Sequence, residues 1–243
     1  MSDRVFRVLS SAAIEEPIRD ALAGRRVAIV CLHADPFDPA GIREGGGTHS
    51  YLREIISFCS SMGIHYIVMT RWANSELPEL QELPEGKLIR LRIGPIAPVD
   101  KRLLNNFHNL SVEVIHAAVS RTLCVPDVIH SLYWNSGRAS MDLSKRWRCR
   151  FVHSVISNGW RRIQSGFTDQ PACRLAVERE VFQKAHQILC VSHEECQDLC
   201  EGYGVHPGKL LVVGRPVASR FIEPCRDGLG RPLSPLTDLI RRS

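Results

Sequence analysis

The sequence predicts an α/β fold: a single doubly wound, mostly parallel sheet of about seven strands. Three observations predict it. Short apolar runs rich in β-branched residues recur along the chain, segments of helical patterning lie between them, and no repeat of fixed period interrupts the alternation. Buried parallel strands read as continuous apolar runs because helices cover both faces of the sheet.

The elements follow in order. VAIVCL (27–32) is the first strand, entered from the basic turn GRR and left through a Pro/Asp-rich loop. THSYLREIISFCSSM (48–62) places Tyr51, Leu52, Ile55, Ile56 and Cys59 at helical spacing and stops at Gly63. IHYIVMT (64–70) is the second strand. KLIRLRI (87–93) alternates as an edge strand does, and NNFHNLSVEVIHAAVSRTL (105–123) is helical. DVIHSL (127–132) is a strand, with a helix after Gly137. RFVHSV (150–155) is a strand, and 172–186 is helical. QILCVS (187–192) is a strand, HEECQDLCEGYG a helix closed by Gly204, and KLLVVG (209–214) the last strand. Together they delimit one Rossmann-like domain, residues 25–224. An N-terminal helical extension (1–24) precedes it, and a Pro/Gly/Arg-rich linker or tail (225–243) follows.

Composition removes several function classes. Among 243 residues, 31 Lys and Arg stand against 26 Asp and Glu, a net charge of +5 spread along the chain. No polybasic tract supports nucleic-acid binding. Glu15 and Glu16 sit where a signal peptide needs an apolar core, and no run reaches the roughly 18 apolar residues of a transmembrane segment. A cytoplasmic protein is expected. The nine cysteines include no C-x-x-C pair. Cys190, Cys196 and Cys200 are the densest group, but His193 and Glu194 complete no familiar ligand spacing. Reduced structural thiols are expected, and no metal.

The chemistry is expected beyond the carboxyl ends of the strands, where such sheets bind ligands. The longest loop there holds Gly45, Gly46 and Gly47 directly before a helix. Bare backbone at a helix N-terminus offers N–H groups and a positive dipole end to a phosphate. A plain flexible turn is the alternative. The spacing is neither G-x-G-x-x-G nor G-x-x-x-x-G-K-[ST], which argues against a dinucleotide oxidoreductase and a P-loop. Other strand ends carry His130, Ser131, Tyr133 and Trp134; His153, Ser154, Ser157 and Asn158; and Ser192 and His193. No G-x-S-x-G elbow and no Ser/His/Asp order indicate a hydrolase.

Three blocks then carry a resemblance. CLHADPFDPAG followed by EGGGTHSYLRE, PDVIHSLYWNSGRASMDLSKRW, and AHQILCVSHEECQDLCEGYGVHPGKLLVVGRP occur in that order over about residues 27–224. They resemble the N-terminal half of retaining GT-B glycosyltransferases of the fourth family. The branch most similar is that of sucrose-phosphate synthases and the enzymes that glycosylate inositol phosphate in mycothiol synthesis. That family has two Rossmann-like domains facing a cleft, the first binding mainly the acceptor and the second the sugar nucleotide.

The resemblance implies roles for individual residues. Gly46 and Gly47, with Gly45 beside them, approach the donor diphosphate; His49 falls where many relatives have Asn. Lys101 falls where the inositol-phosphate branch has a phosphate-binding Lys, Tyr133 matches an acceptor-contacting Tyr, and Arg174 aligns loosely with an acceptor Arg. Ser157 joins this acceptor set. No catalytic residue is assigned, His153 being the candidate. The expected ligands are a nucleotide-diphosphate sugar as donor substrate, with no further cofactor, and a small hydroxylated acceptor, phosphorylated in the inositol branch.

Departures from the family pattern matter too. Ile156 stands where the family has a second His that contacts the sugar, and Ala218 where it has Asp. No E-x7-E motif and no second Rossmann unit occur before Ser243. The expectation is therefore an acceptor-binding half completed by a donor-binding domain or partner protein. The alternative is a non-catalytic binding or scaffold protein derived from the same fold.

Overall fold

The computed structural model describes residues 7–8, 24–38, 47–121, 125–167 and 169–214. Among them the chain forms β1 (Arg7–Val8), β2 (Arg26–Val30), α1 (Gly47–Ser61), β3 (His65–Arg71), β4 (Leu80–Leu83), β5 (Gly86–Leu91) and a 3-10 turn (Leu104–Phe107). Then come α2 (His108–Arg121), β6 (Val128–Leu132), α3 (Trp134–Trp147), β7 (Arg150–Ser154), α4 (Gly159–Gln164), α5 (Arg174–Lys184), β8 (Gln187–Cys190), α6 (His193–Tyr203), a second 3-10 turn (Pro207–Lys209) and β9 (Leu210–Val212). All nine strands form one sheet in the order β1-β9-β8-β7-β6-β2-β3-β5-β4. Every pairing is parallel except β4 with β5.

Strand β2 shows why both faces are covered. Side chains alternate along a strand, so Ala28 and Val30 enter one apolar cluster and Ile29 the other; the alternation continues beyond the strand with Leu32 and Cys31. The first cluster receives Ile115 of α2, Leu143 of α3, Val181 of α5 and Leu199 of α6. The second receives Leu52, Ile56 and Cys59 of α1, three of the positions that predict that helix.

The structure corrects the sequence reading in four places. The sheet has two more strands than expected, β1 and β4, each too short to show a period. β5 is an inner strand, because β4 closes against it antiparallel and takes the edge. Helix α3 begins three residues before Gly137. A Cβ at Gly137 would stand 2.9 Å from both His153 Cε1 and Val181 Cγ1, so this glycine permits close helix packing and marks no boundary. The short helix α4 has no apolar stripe in the sequence; it is capped by Asn158, whose side chain accepts from the Arg161 N–H at 2.7 Å. Of the N-terminal extension, only Arg7–Val8 and Gly24 are described, the first pair as strand. The tail 225–243 lies outside the described residues, as do Gly45, Gly46 and Ala218.

The chain leaves β2 toward β3, β5 and β4, then returns to β6 on the other side of β2. Strands β2 and β6 therefore flank the point where the winding reverses. The loops beyond their carboxyl ends diverge there and leave a crevice.

Candidate functional site

A cavity of about 460 Å³ opens at this crevice. Its wall includes His33 after β2, Thr48 in the first turn of α1, Lys101, Tyr133 between β6 and α3, Ile156 and Ser157 after β7, and Arg174 at the start of α5. They belong to four connections, after β2, β5, β6 and β7, which leave the same edge of one sheet.

Tyr133 marks the centre of the site. Its backbone has φ 71° and ψ 154°, a region that side chains rarely adopt. Such strain costs about 1–3 kcal/mol and persists where the surroundings enforce it. Here the enforcement is visible. The ring lies 4.6 Å from the His33 ring and under the Arg174 guanidinium at 5.2 Å. Trp134, the next residue, is fully buried.

Arg174 is the most constrained cation. It is buried, and its Nε donates to Glu178 Oε1 at 2.7 Å, one helical turn on. The rest of its guanidinium faces the cavity wall. One amine donates to the Ser157 carbonyl at 2.8 Å and reaches the Ser157 hydroxyl at 3.4 Å; the other reaches the Tyr133 hydroxyl at 3.4 Å and Gln170 Oε1. Glu178 is itself fixed by the Gly159 N–H at 2.8 Å and by the Tyr203 hydroxyl. Burial and that carboxylate together push the Tyr203 phenol upward, so it stays a donor.

Lys101 arrives on a tethered loop. Arg71, buried at the end of β3, donates to the carbonyls of Pro95 and Ala97 at 2.8 Å each, holding the 95–97 segment that precedes Lys101. Loss of hydration lowers the His33 pKa, and the nearby charges of Lys101 and His49 lower it further. His33 is thus a neutral imidazole at pH 7, with its Nε2 3.4 Å from Thr48 Oγ1.

All four acceptor residues named from the sequence, Lys101, Tyr133, Ser157 and Arg174, line this one cavity. Gly47 is the exposed first residue of α1, and His49 is buried within that helix. His153 is placed elsewhere. It is buried on β7, its Nδ1 2.7 Å from the Ser131 hydroxyl and its ring 5.6 Å from Phe182. It does not line the cavity, and burial drives its pKa down to about 3. Its neighbour His130 is similarly lowered to about 4 and bonds the Ser154 hydroxyl at 2.8 Å. Ile156 does line the cavity.

Sequence reasoning missed His33, Thr48, Arg102, Arg162, Asp169 and Gln170, all on the same wall. His33 carried a signal, since it directly follows the first strand. Thr48 lies in the first turn of the predicted helix α1, and the others sit in loops or on α4, where no periodicity points at a ligand.

No cluster of His, Cys, Asp or Glu suited to a metal occurs among the described residues. Nor is any described helix long and apolar enough to cross a membrane.

Comparisons with known proteins bear on the family and the fold. The D-inositol 3-phosphate glycosyltransferase of Thermomonospora curvata is 30% identical over 213 residues, which cover 85% of this chain and 49% of that protein. The protein of the same name from Kribbella flavida is 30% identical over 217 residues, covering 87% and 50%. The chain thus spans about half the length of these curated relatives. Among solved structures, sucrose-phosphate synthase from Thermosynechococcus elongatus superposes with a TM-score of 0.75 at 22% identity, over 83% of this chain and 50% of its own; this likeness is one of fold. The family model described as Glycosyltransferase Family 4 matches residues 45–220.

Proposed function

Starting from the fact that this chain belongs to Glycosyltransferase Family 4, we propose that it is the acceptor-binding half of a retaining, nucleotide-sugar-dependent glycosyltransferase, and that its cavity takes a small hydroxylated acceptor bearing a phosphate. One observation carries the reading. Lys101, Tyr133, Ser157 and Arg174 come from separate segments and converge on a single cavity at the reversal of the sheet. A lysine, a guanidinium, a phenol and a hydroxyl together form a donor set for a phosphate.

In this reading Arg174 and Lys101 hold the acceptor's phosphate, and Tyr133 and Ser157 fix its angle. The positive end of α1, beginning at Gly47, faces the diphosphate of the donor. An acceptor hydroxyl oxygen bonds to the anomeric carbon while the bond from that carbon to the diphosphate oxygen breaks, and the hydroxyl proton passes to the departing diphosphate. The chain contributes positioning and charge stabilisation to that step. The donor-binding groups come from a further domain or a partner protein. The described cysteines form no disulfide, which fits the cytoplasm as the site of action.

One feature favours a second reading, a non-catalytic binding protein. Ile156 gives the cavity an apolar wall where the family has a histidine, and an alkyl side chain neither donates nor accepts.

Calorimetric titration of the full protein with D-inositol 3-phosphate and with unphosphorylated inositol tests the proposal. We expect binding of the phosphorylated ligand alone, weakened about tenfold or more by Lys101→Ala, since hydrogen bonds to charged groups are worth about 1.5–3 kcal/mol. Equal affinity for the two ligands would refute it. Transfer of sugar from a nucleotide sugar by the full protein separates the enzyme from the binding protein.

A further inference from the structure

The rim of the cavity carries its own ion-pair system, apart from the acceptor residues. Arg102, on the loop after β5, and Arg162, on α4, both line the cavity. Asp169 joins them. Its Oδ2 accepts from an Arg102 amine at 3.4 Å and its Oδ1 from an Arg162 amine at 3.4 Å. Gln170 extends the bridge inward, donating to Asp169 Oδ1 at 3.2 Å while its own Oε1 accepts from Arg174. One chain of contacts therefore runs from the rim to the floor.

Three features show the bridge is built to be exchanged. Both bonds to Asp169 are long, and its side chain is 55% exposed, so water screens the pairing. Asp169 lies in the loop between α4 and α5, outside both helices. Arg162 retains capacity: its Nε is buried without a hydrogen-bond partner, while its guanidinium lies 4.4 Å above the Phe167 ring. Arg102, by contrast, keeps a second carboxylate through Asp100, its Nε donating at 2.8 Å. Loss of Asp169 would leave Arg162 as the cation in want of an anion.

We propose that Asp169 is an internal competitor of the acceptor, a carboxylate that holds Arg102 and Arg162 and yields them to the acceptor's phosphate. This rests on the reading that the cavity takes a phosphorylated acceptor. A carboxylate offers one charge and two oxygens to two guanidiniums. A phosphomonoester near neutral pH carries close to two charges and three acceptor oxygens, enough to replace Asp169 at both arginines and reach Lys101 or Arg174 as well. A phosphodiester or carboxylate carries one charge, like Asp169 itself, and gains little by the exchange. Asp169 thus costs every anionic ligand that takes the two arginines the same ion pairs, and costs an unphosphorylated ligand none.

The experiment is a thermodynamic cycle on the full protein, titrated with D-inositol 3-phosphate, its methyl phosphodiester and unphosphorylated inositol. The variants are Asp169→Asn, Arg102→Gln with Arg162→Gln, all three together, Asp169→Glu and Lys101→Ala. We expect D169N to bind the phosphomonoester about threefold to tenfold more tightly, the worth of up to two exposed ion pairs. The diester should gain no more than that, and unphosphorylated inositol should gain nothing. D169E should restore the wild-type affinity. In the R102Q/R162Q background D169N should change nothing, because the competition has lost its object. Equal gains with and without the two arginines would reduce Asp169 to a general field effect and overturn the proposal. So would an equal gain by unphosphorylated inositol, or weaker binding by D169N. Binding that needs Lys101 but ignores Asp169 defeats this inference alone. Absence of phosphate-dependent binding in both the wild type and D169N defeats the reading of the site along with it.

Discussion

Arg90 and Arg174 are both buried beside a carboxylate, and they lie on opposite sides of the sheet reversal. Arg90, on β5, donates from Nε to Asp35 Oδ2 at 2.5 Å, and its amines reach Asp35 Oδ1, the Pro78 carbonyl and Gln81 Oε1. Every edge of that guanidinium is engaged by its own half of the sheet. Arg174 also has a buried carboxylate, Glu178, but its remaining edges meet a serine, a tyrosine and a glutamine on a cavity wall. The same chemistry thus makes a brace in one place and a binding surface in the other. What separates them is whether any face of the cation opens onto space that a ligand can enter.

The hardest blow to this comparison is to remove the anchor of Arg174. Glu178→Ala should destabilise the fold by about 3–5 kcal/mol, since it strands a buried cation and leaves the Gly159 N–H and Tyr203 hydroxyl without their acceptor. Urea unfolding measures it, and a loss below about 1 kcal/mol would show that Arg174 is hydrated from the cavity.

Acid should act almost as strongly, and on the same side of the sheet. His130 and His153 are buried and have folded pKa values of about 4 and about 3, below the unfolded value of about 6.5. The unfolded chain therefore binds more protons. Their stabilising contribution is complete above about pH 6.5 and declines as the pH falls toward the folded values. Between pH 6.5 and 5 the two together should cost at most about 4 kcal/mol. Unfolding curves of the wild type and His153→Gln against pH test this; because His33, lowered to about 3, contributes to the same slope, the variant should lose about a third of it.

A gentler perturbation sharpens the contrast between brace and surface. Arg90→Met alone strands Asp35, whereas Arg90→Met with Asp35→Leu replaces the pair by apolar groups. The double variant should be more stable than the single by about 2 kcal/mol or more, with ligand affinity at the cavity unchanged. A comparable affinity loss in the double variant would show that Arg90 serves the site as well.

The smallest effect concerns Tyr133. Both Tyr133→Ala and Tyr133→Gly remove the ring from between His33 and Arg174. Glycine alone tolerates φ 71° with ψ 154°. Tyr133→Gly should therefore be the more stable of the two by about 1–2 kcal/mol, a difference read by thermal unfolding. Equal stability would mean that the backbone relaxes in the alanine variant.

The sequence was legible wherever periodicity or strand order carried the information. The apolar runs gave seven strands close to their observed limits, and the helical spacing of Leu52, Ile56 and Cys59 is the spacing that packs α1. Lys101, Tyr133, Ser157 and Arg174, singled out from the sequence as expected acceptor contacts, line one cavity. Strand β4 was not legible, because Leu80–Leu83 is a short exposed edge whose identity depends on pairing with β5. Gly137 misled, because a glycine that permits helix contact resembles one that ends a helix. His153 looked like a strand-end ligand residue; which face of β7 it occupies put it against Phe182 instead.

By itself the sequence determined the class of the fold, the order of its layers and the edge of the sheet where polar side chains collect. Those follow from local periodicity and from the rule that helices must cover both faces of a parallel sheet. Only the tertiary structure decided which polar groups face one another. It placed Asp169 between Arg102 and Arg162, buried Arg174 against Glu178, and held Tyr133 in a conformation reserved for glycine. Such meetings depend on distances between residues far apart in the chain, and a distance of that kind exists only once the strands have taken their places.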